Sequence, residues 1–290
     1  MKKLLAIVLS AASLFCFGAF AAGCDDGSTI YVQTNAFFAP FEYYDDAGKI
    51  VGVDVDIMNR VGEKMGRKVK FTNGDFGQII QLVHEGKTAD VGAAGITITD
   101  ERKEMVEFSI PYYTAVQYVI WDAADTSIEV SKNTDGEDVV LWSELQGKVI
   151  GVQTDTTGNI YVNLEINALG DDHDDTYEGA LEGSGAICRP YPNAQLAVEA
   201  MYAGGTDTQI PTCVVVDEMP ATYLSENMVG RNLRCAPLYY DAETATEEQY
   251  AICVTPGKTE ILDAINEVLE EMLASGEIDR LVSEHLGLGK

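Results

Sequence analysis

Apolar residues along the chain switch repeatedly between short alternating runs and spacings of three and four, which marks strands interleaved with helices. Thr29 to Gln33 reads as a strand, and Val55, Met58, Val61 and Met65 then recur on one helical face that Gly66 closes. Lys68 to Thr72 alternates again with Val69 and Phe71 on one side. A helix from Gly77 to Glu85 shows Ile79, Ile80 and Val83, and Ala89 to Ala93 returns to strand character. Strand, helix, strand, helix, strand predicts a parallel α/β sheet. A long strand over Tyr112 to Trp121 leaves this unit. After a polar stretch from Asp122 to Asp138 the alternation resumes with a strand from Lys148 to Gln153, a helix from about Asn159 to Ala168 and a strand from Ala186 to Pro190. A helix from Ala194 to Tyr202 and a strongly apolar strand from Thr212 to Val216 follow, the latter ending in Asp217. Tyr250 to Thr255 is a last strand before an amphipathic helix carrying Ile261, Leu262, Ile265, Val268, Leu269 and Met272. Two such alternations in 290 residues predict two lobes.

Composition narrows the setting. With 46% hydrophobic residues the chain can bury a sizeable core, and 47 acids against 19 bases give a net charge of -28. Phosphate backbones repel such a surface, so nucleic acid is excluded as a partner. Met1-Lys2-Lys3 and the apolar run from Leu4 to Phe20 form the n-region and h-region of a signal peptide over residues 1–23, too short for a lasting span. Losing Lys2 and Lys3 takes the charge from -28 to -30. The run ends in Ala21-Ala22-Gly23-Cys24, which resembles a bacterial lipobox with Cys24 as the lipidated residue, although Ala21 stands where Leu is usual and cleavage after Ala21 is the alternative. The expected location is the cell envelope, in the periplasm or on the outer face of the cytoplasmic membrane. Cys188, Cys213, Cys235 and Cys253 remain, with no C-x-x-C spacing; they are either two disulfides in an oxidising compartment or buried thiols.

The chemistry concentrates in Ala94-Gly95-Ile96-Thr97-Ile98-Thr99-Asp100-Glu101-Arg102. A strand ending in small residues opens here into a helix start, with Thr99 as N-cap and Asp100 and Glu101 in the first turn. Free backbone N–H groups at such a mouth attract an anion, Gly95 admits a ligand to the main chain, Thr97 adds a hydroxyl donor, and Arg102 is placed to grip a carboxylate with two hydrogen bonds. The alternative is an Arg102 in solvent, paired with Asp100 or Glu101. Thr156-Thr157-Gly158 forms a second donor-rich mouth at another strand-to-helix junction. Ligands sit beyond the carboxyl ends of strands in such sheets, which brings the Asn35 loop, Phe76, the Ala94 to Arg102 segment and Asp217 to the same rim. Phe38 and Phe76 are equally ordinary as core, and Asp217 as a helix cap. The acidic stretch from Gly170 to Gly185 fails as a calcium loop, with Tyr177 and Gly183 where glycine and glutamate are needed, so no metal is expected. No cofactor motif and no histidine cluster is visible.

The run AAGITITDERKEMVEFSIPYY, with NAFFAPFEYYDDAGKIVGVDVDI upstream, resembles the bacterial extracellular solute-binding proteins of family 3, the amino-acid receptors of ABC importers. The resemblance extends from about Thr29 to the C-terminal helix. It implies a two-lobed type II periplasmic-binding-protein fold, with 28–114 and 251–290 as one lobe, 115–250 as the other, an acidic insertion near 170–185 and a hinge of two strands. It also implies that Ala94, Gly95, Thr97, Arg102, Thr157 and Gly158 hold a ligand carboxylate, that Asp217 accepts the α-ammonium, and that Asn35, Phe38, Phe76 and Gln153 line the side chain. The family more often has Gly where Asp155 stands.

The implied function is capture of a free L-amino acid by a monomeric receptor that presents it to an ABC transporter permease. Receptors for basic amino acids in this family commonly carry an acid where Asn35 stands, and a buried cation lacking such a partner is costly. A polar, uncharged side chain is therefore expected. One rival is a periplasmic dehydratase-like enzyme on the same fold, which needs a poised acid or base. Another is a sensory ectodomain, which needs a membrane span and signalling domain after it.

Overall fold

The computed structural model describes residues 27–168, 177–203 and 209–287. The leader expected over 1–23, Cys24 and residues 170–176 of the acidic stretch lie outside the described residues. The chain begins with β1 (Thr29–Thr34), whose Ile30 and Val32 point inward. A small antiparallel sheet follows, made of β2 (Phe37–Phe38), β3 (Glu42–Tyr44) and β4 (Ile50–Val51). α1 (Val53–Met65) turns Val53, Ile57, Met58 and Val61 to the core and ends at Gly66, as the periodicity requires. β5 (Lys68–Asn73), a single 3-10 turn over Phe76–Gln78, α2 (Ile79–Glu85) and β6 (Val91–Gly92) complete the first alternation. The short α3 (Asp100–Lys103) and β7 (Glu107–Phe108) lead to β8 (Tyr113–Asp122).

The polar stretch after β8 contains two short strands that its composition conceals, β9 (Ser131–Lys132) and β10 (Asp138–Leu141). β11 (Val149–Gln153), α4 (Thr157–Asn167), β12 (Ile187–Tyr191), α5 (Ala194–Ala200) and β13 (Cys213–Asp217) form the second alternation. α6 (Glu218–Asn227), β14 (Leu233–Tyr239) and β15 (Glu247–Tyr250) follow, and β16 (Cys253–Val254) is separate from β15. The C-terminal helical pattern divides into α7 (Thr259–Ala274) and α8 (Glu277–His285), because Gly276 adopts φ 69, a left-handed geometry that glycine takes without steric cost. Among the described residues no helix is long and apolar enough to cross a membrane.

Two main sheets organise these elements, in the orders β5-β1-β6-β16-β7 and β12-β11-β13-β8-β14-β10-β9. The centre of each is parallel, β5-β1-β6 in one and β12-β11-β13 in the other, while β16 and β8 join antiparallel. This is the type II periplasmic-binding-protein architecture, with an antiparallel strand beside each parallel core. β8 serves both halves of the molecule. Its residues 113–116 pair with β15, and its residues 117–122 pair with β13 and β14. The two strands that cross between the sheets thus hydrogen-bond to each other.

All four described cysteines are free thiols, which settles the choice left open by their spacing. Cys188 and Cys213 lie opposite Ile150 on the two flanks of β11. Two strand spacings separate them by roughly 9.5 Å, beyond the reach of about 7 Å for a disulfide.

Candidate functional site

On the first sheet the chain leaves β6 and runs over a small apolar cluster. Ala94 and Ile96 pack inward with Ile79, Val83, Val106 and Cys253, so Ala94 offers a ligand only its backbone. Gly95 adopts φ 52 beside the ring of Phe38, and a Cβ there would lie 2.7 Å from Phe38 Cε1. The segment is tied to β15 and the residue after it: Ile98 N–H donates to the Gln249 carbonyl at 2.9 Å and Ala251 N–H to the Ile96 carbonyl at 3.0 Å. Thr99 caps α3 as expected, accepting from the Arg102 backbone N–H at 3.2 Å. That cap turns Arg102 back toward the mouth. Its guanidinium donates to the Thr97 carbonyl at 2.8 Å and lies 5.5 Å from the Phe76 ring centroid. Asp100 pairs instead with Lys103, and Arg102 is only 9% exposed, so the solvated alternative does not hold.

On the second sheet, β11 ends at Gln153 and the chain turns through Asp155 at φ 61, a conformation in which Asp is among the better-tolerated side chains after glycine. This is where the family more often has Gly. Thr156 caps α4, which begins at Thr157, two residues before the apolar pattern suggests. Thr157 therefore stands in the helix mouth. The Asp155 carbonyl accepts from the second Arg102 nitrogen at 3.4 Å, the Thr97 and Thr157 hydroxyl oxygens are 2.6 Å apart, and Gln153 Nε2 donates to Asn35 Oδ1 at 3.0 Å. Asn35 in turn donates to the Gly74 carbonyl at 2.8 Å, which leaves buried Gln153 Oε1 without a partner.

Asp217 ends β13 directly before α6, but its carboxylate makes no cap bond. It accepts instead from Gln117 Nε2, the residue opposite it in the β13–β8 register. The same Gln117 nitrogen donates to Glu248 Oε1 at 2.5 Å, and Glu248 Oε2 accepts from the Thr97 hydroxyl. Gly158 allows this crossing, since a Cβ there would meet Gln117 Oε1 at 2.7 Å.

These groups enclose a cavity with free volume of about 10 Å³, room for about one water, lined by Asn35, Phe38, Phe76, Gly95, Thr97, Gln153, Thr156, Thr157 and Asp217. Arg102 stands behind Thr97 and also borders a larger groove of about 620 Å³ on the far side of Phe76, toward Asn159 and Asn163. The residues anticipated from the sequence thus converge, except that Ala94 and Gly158 act as close-packed backbone. Sequence reasoning missed Gln117 and Glu248, and placed Thr156 and Asp155 at the second mouth without counting them among the site residues. Thr156 carried a signal in the Thr-Thr-Gly junction, while Gln117 and Glu248 are single polar residues within strands and carried none.

Carboxylates outnumber cations around this cavity. Burial raises the Asp217 carboxyl well above the usual range, and the charge and hydrogen bonding of Glu248 raise it further. Beneath the site, burial moves Asp54 up to about 6 despite donors from Tyr112 and the Gly95 N–H. Glu42 is fully buried with neither carboxylate oxygen bonded, and burial followed by the charges of Asp54 and Asp217 holds its carboxyl well above the usual range. Burial lowers the Arg102 guanidinium, with Glu248 the strongest of the charges opposing that shift.

Residues 30–288 match the model of the bacterial extracellular solute-binding proteins, family 3. The chain belongs to that family. This family-3 protein is 28% identical to a probable histidine-binding protein of Neisseria gonorrhoeae, over 98% of this chain and 96% of that one. Among solved structures, an ancestral arginine-binding protein bound to arginine is 30% identical with a TM-score of 0.66, over 89% of this chain and 97% of the other. The P235GK mutant of the T. maritima ArgBP is 27% identical with a TM-score of 0.70, over 90% and 96%. The family is one of solute binding, and the convergence of hydroxyls and an acid on one cavity, with Arg102 behind Thr97, suits an amino acid.

Proposed function

We propose that this family-3 protein is the receptor of an ABC importer for a free cationic L-amino acid, with arginine the first candidate. Residues 28–114 and 251–290 form one lobe and 115–250 the other, a division supported by membership of the two sheets. Arg102, Thr97 and Thr157, with the backbone at Ala94 and Gly158, take the carboxylate, while the Gly95 N–H is already given to Asp54. Asp217 takes the ammonium, and Asn35, Phe38, Phe76 and Gln153 face the side chain. The observation that carries this reading is that Thr97 from one side and Thr157 and Asp217 from the other line one enclosed space, while Arg102 behind Thr97 reaches across to the Asp155 carbonyl. Groups from both lobes on one ligand give the closed form the higher affinity that closure requires.

The expectation of an uncharged side chain rested on Asn35 and Gln153. The relatives named for histidine and arginine do not support it. Two further observations favour a cation: acids outnumber Arg102 around the cavity, and Gln153 Oε1 is an unpartnered acceptor suited to a donor-bearing side chain such as guanidinium. A thermal-shift panel of the twenty amino acids tests the reading, because a ligand bound at 100 times its Kd adds about 2.7 kcal/mol. Arginine, histidine or lysine is expected to give the largest rise in Tm. A largest rise with glutamine or asparagine overturns the charge assignment, and no rise with any amino acid overturns the receptor reading. Cys24 as a lipid anchor and the permease as partner belong to the same proposal; mass measurement of the mature chain tests the first.

A further inference from the structure

We propose that Glu248 is a second carboxylate of the ammonium subsite, acting as a pair with Asp217 and suspended on the two strands that join the lobes. This rests on the receptor reading above and names a residue that neither the local sequence motifs nor the resemblance includes.

The geometry is the argument. A single nitrogen, Gln117 Nε2, donates to an oxygen of Asp217 and to an oxygen of Glu248, so the two carboxylates already converge on one donor. A primary ammonium carries three N–H donors and suits the same convergence better than an amide does. Glu248 is 5% exposed and its second oxygen accepts from Thr97, the hydroxyl that meets Thr157. One acid therefore touches both ends of the site. A carboxylate this deeply buried beside a second one is costly unless a cation answers both. Arg102 is the cation within reach, and the receptor reading commits it to the ligand's carboxylate. Asp217 alone would balance the ligand's ammonium; Glu248 adds a negative charge in surplus, which favours a ligand of net positive charge even though Asn35 and Gln153 bear none.

The position of Glu248 also explains how occupancy reaches the hinge. Gln117 sits on β8 and Glu248 on β15, the outgoing and returning strands, so a cation drawing Asp217 and Glu248 together bears directly on both. The groups that face this pair are Gln117 from β8, Tyr250 from β15, Thr97 from the segment after β6, Arg102 from α3 and Glu42 from β3. Among them Glu248 and burial favour the protonated form of Asp217, while Arg102 and Tyr250 favour the ionised form. When the ammonium arrives, the proton that Asp217 favours leaves to solvent and N–H···O bonds replace it.

The experiment is calorimetric titration of the full chain with arginine, in two buffers of different ionisation enthalpy and over a series of pH values, for the wild type, Glu248→Gln and Glu247→Gln. Glu247 is the exposed neighbour on the same strand and serves as control. The wild type is expected to release protons on binding and to bind more tightly as pH rises. Glu248→Gln is expected to weaken binding by about 30-fold or more and to lose the proton release, with its melting temperature kept or raised. Glu247→Gln behaves as wild type. Equal affinity and equal proton release in Glu248→Gln overturn the pairing alone, and weakened binding with the wild-type proton release also overturns it, because Glu248 would then be only a support. A wild type that binds no amino acid takes down the receptor reading and this pairing with it.

Discussion

The two ends of the site are assembled differently. At the anion end the cap, the open mouth and the charged group all come from one stretch, Ala94 to Arg102, where Thr99 holds the turn and Arg102 folds back over it. At the cation end Asp217 and Glu248 lie 100 and 131 residues from the Gln117 that joins them, and each sits on a different strand. The first end is locally determined and has one cation. The second is tertiary, has two acids, and joins Asp217 on β13 to Gln117 and Glu248 on the strands that cross between the sheets.

The largest effect is expected where a single group has no substitute. Arg102→Ala is predicted to weaken arginine binding by about 2 to 5 kcal/mol, because the ligand's carboxylate then lies buried without its cation. Asp217→Asn is predicted to cost less, as Glu248 remains within reach of the ammonium. Titration of both variants checks this order. A loss in Asp217→Asn as great as in Arg102→Ala would mean that the acids do not share the ammonium.

This asymmetry also governs what was legible in the sequence. The mouth at Arg102 and the double threonine at Thr156 and Thr157 are runs of adjacent residues with a physical signature, and both were readable, along with the α/β alternation that places them. Asp217 was readable because it ends a run of buried β residues. Glu248 stands next to Glu247 in a strand of alternating burial, and nothing in Glu247-Glu248-Gln249-Tyr250 says which acid faces inward. The register with β8 decides it. β9, β10 and β14 were equally hidden, because each is set by its pairing with neighbouring strands rather than by its own composition. On the proposed cationic reading, Asn35 and Gln153 point the wrong way because the acid surplus lies at the other end of the cavity.

A smaller effect is expected where the anion end depends on backbone shape. Gly95→Ala is predicted to lower stability by about 1 to 2 kcal/mol from the left-handed backbone alone. Its new Cβ would also meet the Phe38 ring 2.7 Å away, so the ring must shift and affinity falls as well. Chemical denaturation and titration of the same variant separate the two losses. Unchanged stability with wild-type affinity would show that the mouth does not need this conformation.

The smallest effect concerns the acid layer beneath both ends, where Glu42 is buried with no hydrogen-bond partner. Replacing such a group by an apolar one of similar shape is neutral or stabilising, so Glu42→Met is predicted to raise stability by about 1 kcal/mol. The pH dependence gives the sign a second check. Glu42's folded-state carboxyl lies above its unfolded value of about 4.3, so the folded protein binds this proton first, and stability from this group falls as pH rises from there through the folded pKa. The Tm advantage of Glu42→Met over wild type is therefore smallest in acid and grows toward neutral pH. An advantage that shrank with rising pH would mean that Glu42 is stabilised as an anion in the folded state, which would make it a third carboxylate available to the ligand and extend the surplus of acid from the cation end to the floor of the site.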